Sequence, residues 1–348
     1  MSSSSPSIDP DQLTDALRRV GVLRGGRVCD IRLDNFRPTI LSRIGRLHLT
    51  YEGPSDGAPA SVFLKTGQPE RAGTFWRGYR HEVAFYATVA ANMPVGIAPH
   101  CFDSHFDEET HDWRVIIEDL TDTHETRTTW PLPPVPDDCE QIISSWARLH
   151  AAWWDSPALG NTIGSWHDPS EAPIHLFAEK FEDFEKAMGE RLSSERRDIY
   201  RALIKNDHRL NARTRTHKHM TIVHGDAHPW NVMLPKGSND TPRIFDWDGW
   251  SVDVAARDIA YMMSVHWFPD YRRRFERVML DRYHEELMRG GVTNYDRRAL
   301  QEDYRLSTLR HIATPVWQYA YNIPAGIWWN HLDRIFSAID DLDCRELL

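Results

Sequence analysis

The spacing of apolar residues shifts near Leu120 from mainly strand-like to mainly helical, and that shift limits the folds open to this chain. Between Cys29 and Leu120 apolar and polar residues alternate in short runs. "RLHLTYEG" sets Leu47, Leu49 and Tyr51 on one side, and "ASVFLKTG", "PHCFDSHFD" and "WRVIIEDL" are runs of similar length, with "GPSDGAP" and "DEET" as turns. Such runs predict strands joined by hairpins. One helix interrupts them, "RGYRHEVAFYATVAAN", with Val83, Tyr86, Val89 and Ala90 on its expected inner face and Glu82 near its start. Beyond a Pro-rich connection, "WPLPPVPDD" (Trp130 to Asp138), helical spacing dominates over 137–154, 176–206, 253–266, 270–290 and 297–320.

A Ser-rich tail (residues 1–8) and a short helix come first. Asp9 is the expected N-cap, Pro10 takes the first helical position, and Gly21 stands near the stop. The expected organisation is α+β and two-lobed. Residues 1–24 form a tail and helix, 25–120 an antiparallel sheet with one helix, and 121–348 a mainly helical lobe. At 348 residues the chain is long enough for two lobes.

Charge narrows the partners. The formal charge is −10, from 41 basic and 51 acidic residues, which disfavours a nucleic-acid backbone and suits a neutral or cationic small molecule. Cys29, Cys101, Cys139 and Cys344 form no CxxC pair, so free thiols are expected. No apolar run approaches the ~18 residues of a membrane span, and "MSSSSPSIDP" lacks the basic-then-apolar order of a secretory signal. A cytoplasmic protein without membrane insertion is the expectation.

Strands return once, around "TIVHGDAHPWNVMLPKGSNDTPRIFDWD" (Thr221 to Asp248), and there the polar residues crowd together. Three readings compete: a metal cluster, a phosphoryl-transfer centre, or loops that merely connect strands. His224 and His228 are four apart, as in H-E-x-x-H, but Gly225 and Pro229 break the helix that motif needs, and its glutamate is absent. Phosphoryl transfer needs a carboxylate at the attacking hydroxyl, an amide oxygen shortly afterwards for Mg²⁺, and a carboxylate on the next strand. Asp226 and Asn231 are five apart, and Asp246 follows after a turn and a returning strand. Both Asn231 and Asp246 offer the oxygen ligands Mg²⁺ prefers. Upstream, Lys65 ends "VFLK" and Glu82 lies on the following helix, the order of a phosphate-holding lysine and the glutamate that orients it.

"HGDAHPWN" followed by "IFDWD", with "VFLK", "HEVAFY" and "IIEDL" upstream, resembles the aminoglycoside phosphotransferase and choline-kinase superfamily, a branch of the protein-kinase-like fold, over roughly residues 25–345. The order of motifs is most similar to its broad phosphotransferase and ecdysteroid-kinase-like subfamilies. The resemblance implies ATP with Mg²⁺, and ATP-dependent phosphorylation of a small molecule's hydroxyl, with the nucleotide between the lobes. It implies Asp226 as catalytic residue, Asn231 and Asp246 as metal ligands, and Lys65 with Glu82 at the phosphates. Adenine would lie along 116–120, including Glu118 and Leu120. His224 and Asp258 become supports of the catalytic loop.

One departure stands out. A phosphate loop is normally Gly-rich, whereas "FRPTILSRIGRL" has only Gly45, leaving Ser42 or Arg43 to supply donors. A kinase-like protein that binds nucleotide without catalysis is therefore the alternative, with a metal-dependent hydrolase behind it. His228 reads as a loop-fixing histidine. Asp248 stays open between a second-sphere metal group, a substrate contact and a cap. Phe177, Phe181 and Phe184 are expected to face inward from an otherwise charged helix. The acceptor remains open among antibiotics, amino alcohols, sugars and lipophilic alcohols.

Overall fold

The computed structural model describes residues 8–68, 78–167, 170, 172–237 and 240–348. The tail to Ser7, Arg77 at the expected start of the first-lobe helix, and Ser238 and Asn239 of the expected turn lie outside them. The chain divides into two compact units: Met1–Glu125 with Pro235–Asn239, and Thr126–Leu234 with Asp240–Leu348.

The first unit is a five-stranded antiparallel sheet built from β1 (Arg27–Pro38), β2 (Ser42–Glu52), β3 (Ser61–Gly67), β4 (Cys101–Phe106) and β5 (Trp113–Glu118), in the order β1-β2-β3-β5-β4. Helix α1 (Pro10–Arg19) is capped as expected: the Asp9 carboxylate accepts from the Asp11 N–H at 3.0 Å. Its apolar face, Leu13 and Leu17, packs with Val28, Leu47, Leu64 and Ile116 from the sheet. Each fully buried Leu or Val is worth about 1.5–3 kcal/mol, so this contact holds the helix, which is too short to be stable alone.

Helix α2 (Gly78–Ala84) opens into a wider π-helical turn, Phe85–Val89, and a tight turn, Ala90–Asn92. Its buried face is Glu82, Phe85, Tyr86 and Val89, while Val83 and Ala90 are only partly covered. The inner face is thus offset from the expected one, because a buried carboxylate shares it. A short strand β6 (His124–Glu125) ends this unit.

The second unit is mainly helical, with α3 (Pro136–Trp153), α4 (Ala172–Met188), α5 (Ser194–Lys205), α6 (Asp207–Leu210), α7 (Ala256–Ala260), α8 (Pro269–Arg289), α9 (Arg297–Arg310), α10 (Ala313–Ala320) and α11 (Ala325–Asp341). Phe177, Phe181 and Phe184 do face inward, against Tyr200, Leu332 and Ile335. No helix among the described residues is long and apolar enough to cross a membrane.

Three expected helical stretches need correction. The stretch 176–206 is two helices, broken where Gly189 takes φ +52 and Ser193 recaps the chain by accepting from the Arg196 N–H. The stretch 297–320 turns at His311 and Ile312 into a separate helix. The start of 253–266 belongs to a strand, β10 (Ser251–Val254), which pairs antiparallel with β7 (Met220–Val223). Four residues are too few for periodicity to separate strand from helix. Helix α11 lies beyond the stretches read from spacing.

Candidate active site

Strand β7 is buried at all four positions and delivers the chain to His224, itself fully enclosed. Its ring lies between Trp146 and Trp247, at centroid distances of 5.3 and 4.7 Å. Nε2 donates to the Phe245 carbonyl at 2.9 Å, and Nδ1 accepts from the Asp226 N–H at 3.3 Å, which assigns the proton to Nε2. Burial lowers its pKa, so it sits as a neutral brace.

Asp258, on α7, accepts from the His224 N–H at 2.6 Å, the Gly225 N–H at 3.0 Å and His150 Nε2 at 3.2 Å. Burial opposes its ionisation, but the hydrogen bond and charge of His150 override that and hold the carboxyl below its usual range. Gly225 has φ +82, and a Cβ there would stand 2.0 Å from the Gly249 carbonyl oxygen. Only glycine allows the two loops to approach so closely.

Asp226 therefore leaves a doubly anchored loop. Tyr261 donates to its Oδ1 at 2.7 Å, and Asn231 Nδ2 to its Oδ2 at 3.2 Å and its carbonyl at 3.0 Å. His228 Nε2 lies 3.4 Å from Oδ2. Partial burial raises the cost of the carboxylate, yet His228 and the Tyr261 hydrogen bond depress its pKa well below the ordinary value. In return, Asp226 overrides the burial of His228 and raises the imidazole's pKa. Burial and the neighbouring Asp226 push the Tyr261 hydroxyl well above 10, which keeps it protonated as a donor.

Asn231 leads into β8 (Val232–Pro235), which pairs antiparallel with β9 (Arg243–Ile244). The Phe245 N–H donates to the Asn231 carbonyl at 3.1 Å, so the ladder sets Asp246 next to Asn231. Asp246 has φ +69, a left-handed conformation that Asp adopts more readily than most residues other than glycine. Because Asn231 spends its amino group on Asp226, its amide oxygen stays available. With Asp246 it forms an oxygen donor set suited to a hard divalent cation completed by phosphate and water. Among the described residues no group of three or more His, Cys, Asp or Glu side chains is arranged to hold a metal ion. Asp248, half-buried in the next turn, adds its negative charge to those acting on Tyr261.

In the first unit Lys65 Nζ pairs with Glu82 Oε2 at 2.5 Å, with both side chains largely buried. The β1–β2 turn is closed by Thr39 and Ser42, whose hydroxyls lie 3.0 Å apart, so the Ser42 side chain is engaged inside the turn. Gly45 has a packing cause: a Cβ there would meet Leu33 at 2.8 Å and Phe36 at 3.0 Å. The Glu118 N–H donates to the His100 carbonyl at 2.8 Å, and the Leu120 carbonyl accepts from the His124 N–H at 2.8 Å. Asp119 between them is tied to Arg46 and Ser61.

Sequence reasoning passed over Tyr261, His150 and Asp119. Tyr261 follows Asp258 by three residues, one helical face, which was the available signal. Nothing local marks His150 or Asp119, since their partners are distant in the chain.

An antiparallel-sheet unit carrying a buried lysine–glutamate pair, and a helical unit carrying an anchored Asp-Asn-Asp loop, define a kinase-like phosphotransferase. A family model described as the phosphotransferase enzyme family matches residues 56–300. The chain belongs to that family and is a small-molecule kinase by class. Comparison with curated proteins finds no match. Among solved structures, an aminoglycoside-phosphotransferase-like protein of Ralstonia eutropha aligns with TM-score 0.56 and 13% identity over 97% of this chain and 98% of that one. The choline kinase of Cryptosporidium parvum aligns with TM-score 0.56 and 12% identity over 91% of each. An amicoumacin kinase in complex with AMP-PNP, Ca²⁺ and its antibiotic aligns with TM-score 0.51 and 13% identity over 94% and 92%. At these identities the structures show a shared fold.

Proposed function

We propose that this chain transfers the terminal phosphoryl group of ATP to a hydroxyl of a small molecule, with Asp226 as the catalytic carboxylate. The observation that carries this reading is the set of hydrogen bonds from Tyr261 and Asn231 to the two oxygens of Asp226. They keep it ionised and fix its direction, which matters more than basicity in a loose transition state. The hydroxyl proton passes to Asp226, the alcohol oxygen bonds to phosphorus, and the bond to the bridging oxygen of the departing diphosphate breaks.

Asn231 and Asp246 would hold Mg²⁺, and the complex of the amicoumacin kinase with a nucleotide analogue and Ca²⁺ supports a divalent cation here. Bound, the cation would neutralise phosphate charge. Lys65, oriented by Glu82, would pair with the phosphates. An adenine contact at 116–120 would fall to the Leu120 N–H, since the Glu118 N–H and Leu120 carbonyl serve the unit's own backbone. With the Ser42 hydroxyl turned to Thr39, phosphate donors from this hairpin would be backbone N–H groups or Arg43.

The test is thermal stabilisation by ATP with and without Mg²⁺, followed by ADP release over a panel of hydroxylated compounds. Mg²⁺-dependent stabilisation is expected with or without the Asp226 carboxylate, and acceptor-dependent ADP release only with it. Equal ADP release from Asp226→Asn would overturn the assignment.

A further inference from the structure

The second unit contains a pocket of about 330 Å³ bounded by α4, α6, α7 and the corner between α9 and α10. That is the size of a small-ligand site. Its apolar lining includes Ile174, Phe177 and Trp317, with the two rings 6.0 Å apart. The lining also includes Arg215, Arg257 and Arg310.

The state of these arginines decides the ligand's charge. Asp253, fully buried beside the pocket, has its oxygens taken by Arg257 at 3.1 Å, His167 at 3.0 Å and the Val254 N–H at 2.7 Å. Arg310 is left 3.8 Å away, close enough for attraction but beyond hydrogen-bond distance. Arg215 makes no side-chain hydrogen bond or ion pair among the described residues. Asp207, the one carboxylate in the lining among the described residues, accepts from the Asn211 side chain at 2.7 Å. Among the described residues, two guanidinium groups therefore border the pocket without a side-chain hydrogen bond, and a guanidinium fork matches a carboxylate. The overall −10 charge of the chain is not the local charge here.

The pocket's lining stops short of Asp226 and is linked to it through two side chains. His311 lines the pocket, with its ring 5.2 Å from that of Tyr261, the residue bonded to Asp226. Burial pulls the His311 imidazole down to about 4, so it adds no charge near neutral pH.

We infer that this pocket seats a small molecule bearing a carboxylate on an apolar ring, and that the acceptor is of this class, a hydroxylated ring-bearing acid. The statement about the acceptor rests on the phosphotransferase reading; the statement about binding does not. Arg215 and Arg310 engage the carboxylate, and the ring lies against Phe177 and Trp317. Polyamine acceptors are disfavoured, since their charge repels the same arginines.

The experiment is calorimetric titration of the nucleotide-free chain with 4-hydroxyphenylacetate, 3-(4-hydroxyphenyl)propionate and 4-(4-hydroxyphenyl)butyrate. Tyramine and 4-ethylphenol serve as cationic and uncharged counterparts. At least one acid should bind about tenfold more tightly than either counterpart. Arg215→Glu, at an exposed position, and Arg310→Gln should each weaken that acid about tenfold, with the melting temperature of Arg215→Glu unchanged. Tyramine binding as tightly as the acids, no binding of any acid, or unchanged affinity in both variants would each overturn the inference. Because no nucleotide is present, such a failure leaves the phosphotransferase reading standing. Conversely, an active Asp226→Asn enzyme would leave the titration result intact.

Discussion

The Tyr261 hydroxyl donates to Oδ1 of Asp226 at 2.7 Å, so the turn after α7 sets the ionisation of a residue in the loop after β7. Tyr261→Phe removes that donor without changing shape. The Asp226 carboxyl then rises, and the acidic limb of the pH–rate profile moves to higher pH. A hydrogen bond to a charged group is worth ~1.5–3 kcal/mol, so kcat should fall roughly tenfold to a hundredfold. Affinity for AMP-PNP, measured by calorimetry, should stay unchanged.

Asp226→Asn keeps the size of the side chain and removes its charge. Turnover should drop about a thousandfold, within the ~10²–10⁴ range for loss of a positioned base. AMP-PNP affinity should hold within a small factor, which calorimetry with Mg²⁺ would check.

Asp258 carries a depressed pKa and three hydrogen bonds from the loop and His150. Its folded pKa lies below the unfolded value of about 4, so the unfolded chain binds the extra proton in between. The stability it contributes is present above about pH 4 and is lost as pH falls through its folded pKa. Urea unfolding across acidic pH should show this slope, and Asp258→Asn should flatten it while lowering stability near neutrality.

Gly225→Ala would place a methyl group 2.0 Å from the Gly249 carbonyl oxygen in a left-handed conformation. The loop must move, so activity should be lost together with several degrees of melting temperature. Gly237→Ala, where a Cβ meets nothing within 4 Å, is the matched control and should melt as the parent does.

Lys65→Ala would leave Glu82 buried without its cation. Removing one partner of a buried pair costs ~3–5 kcal/mol, so chemical denaturation should show a large loss beside any loss of nucleotide binding. Replacing the pair together, Lys65→Met with Glu82→Leu, should recover much of that stability and none of the binding.

The motif residues were legible because chemistry forces them close in sequence. Asp226 and Asn231 belong to one loop, Asp246 to the strand that returns beside it, and the ladder from Val232 to Ile244 needs only a short hairpin. Lys65 and Glu82 were legible for a related reason: a strand and the helix after it set their order. The inner face of α2 was harder to read, since a buried glutamate occupies a position that hydrophobic spacing treats as exposed. Strand β10 was missed because four residues carry no usable period.

The sequence by itself determined the α+β class, the two lobes' contrasting periods and which polar residues crowd into the loops after β7 and β9, since these depend on local spacing and on side-chain chemistry. Only the tertiary structure decided what holds those residues in working order. His150 comes to Asp258 from 108 positions away, and Tyr261 to Asp226 from 35. Arg215, Arg257 and Arg310 meet around one pocket from three separate elements. Such encounters follow from how helices pack around a shared core, and packing is a property of the folded chain that no short stretch of it contains.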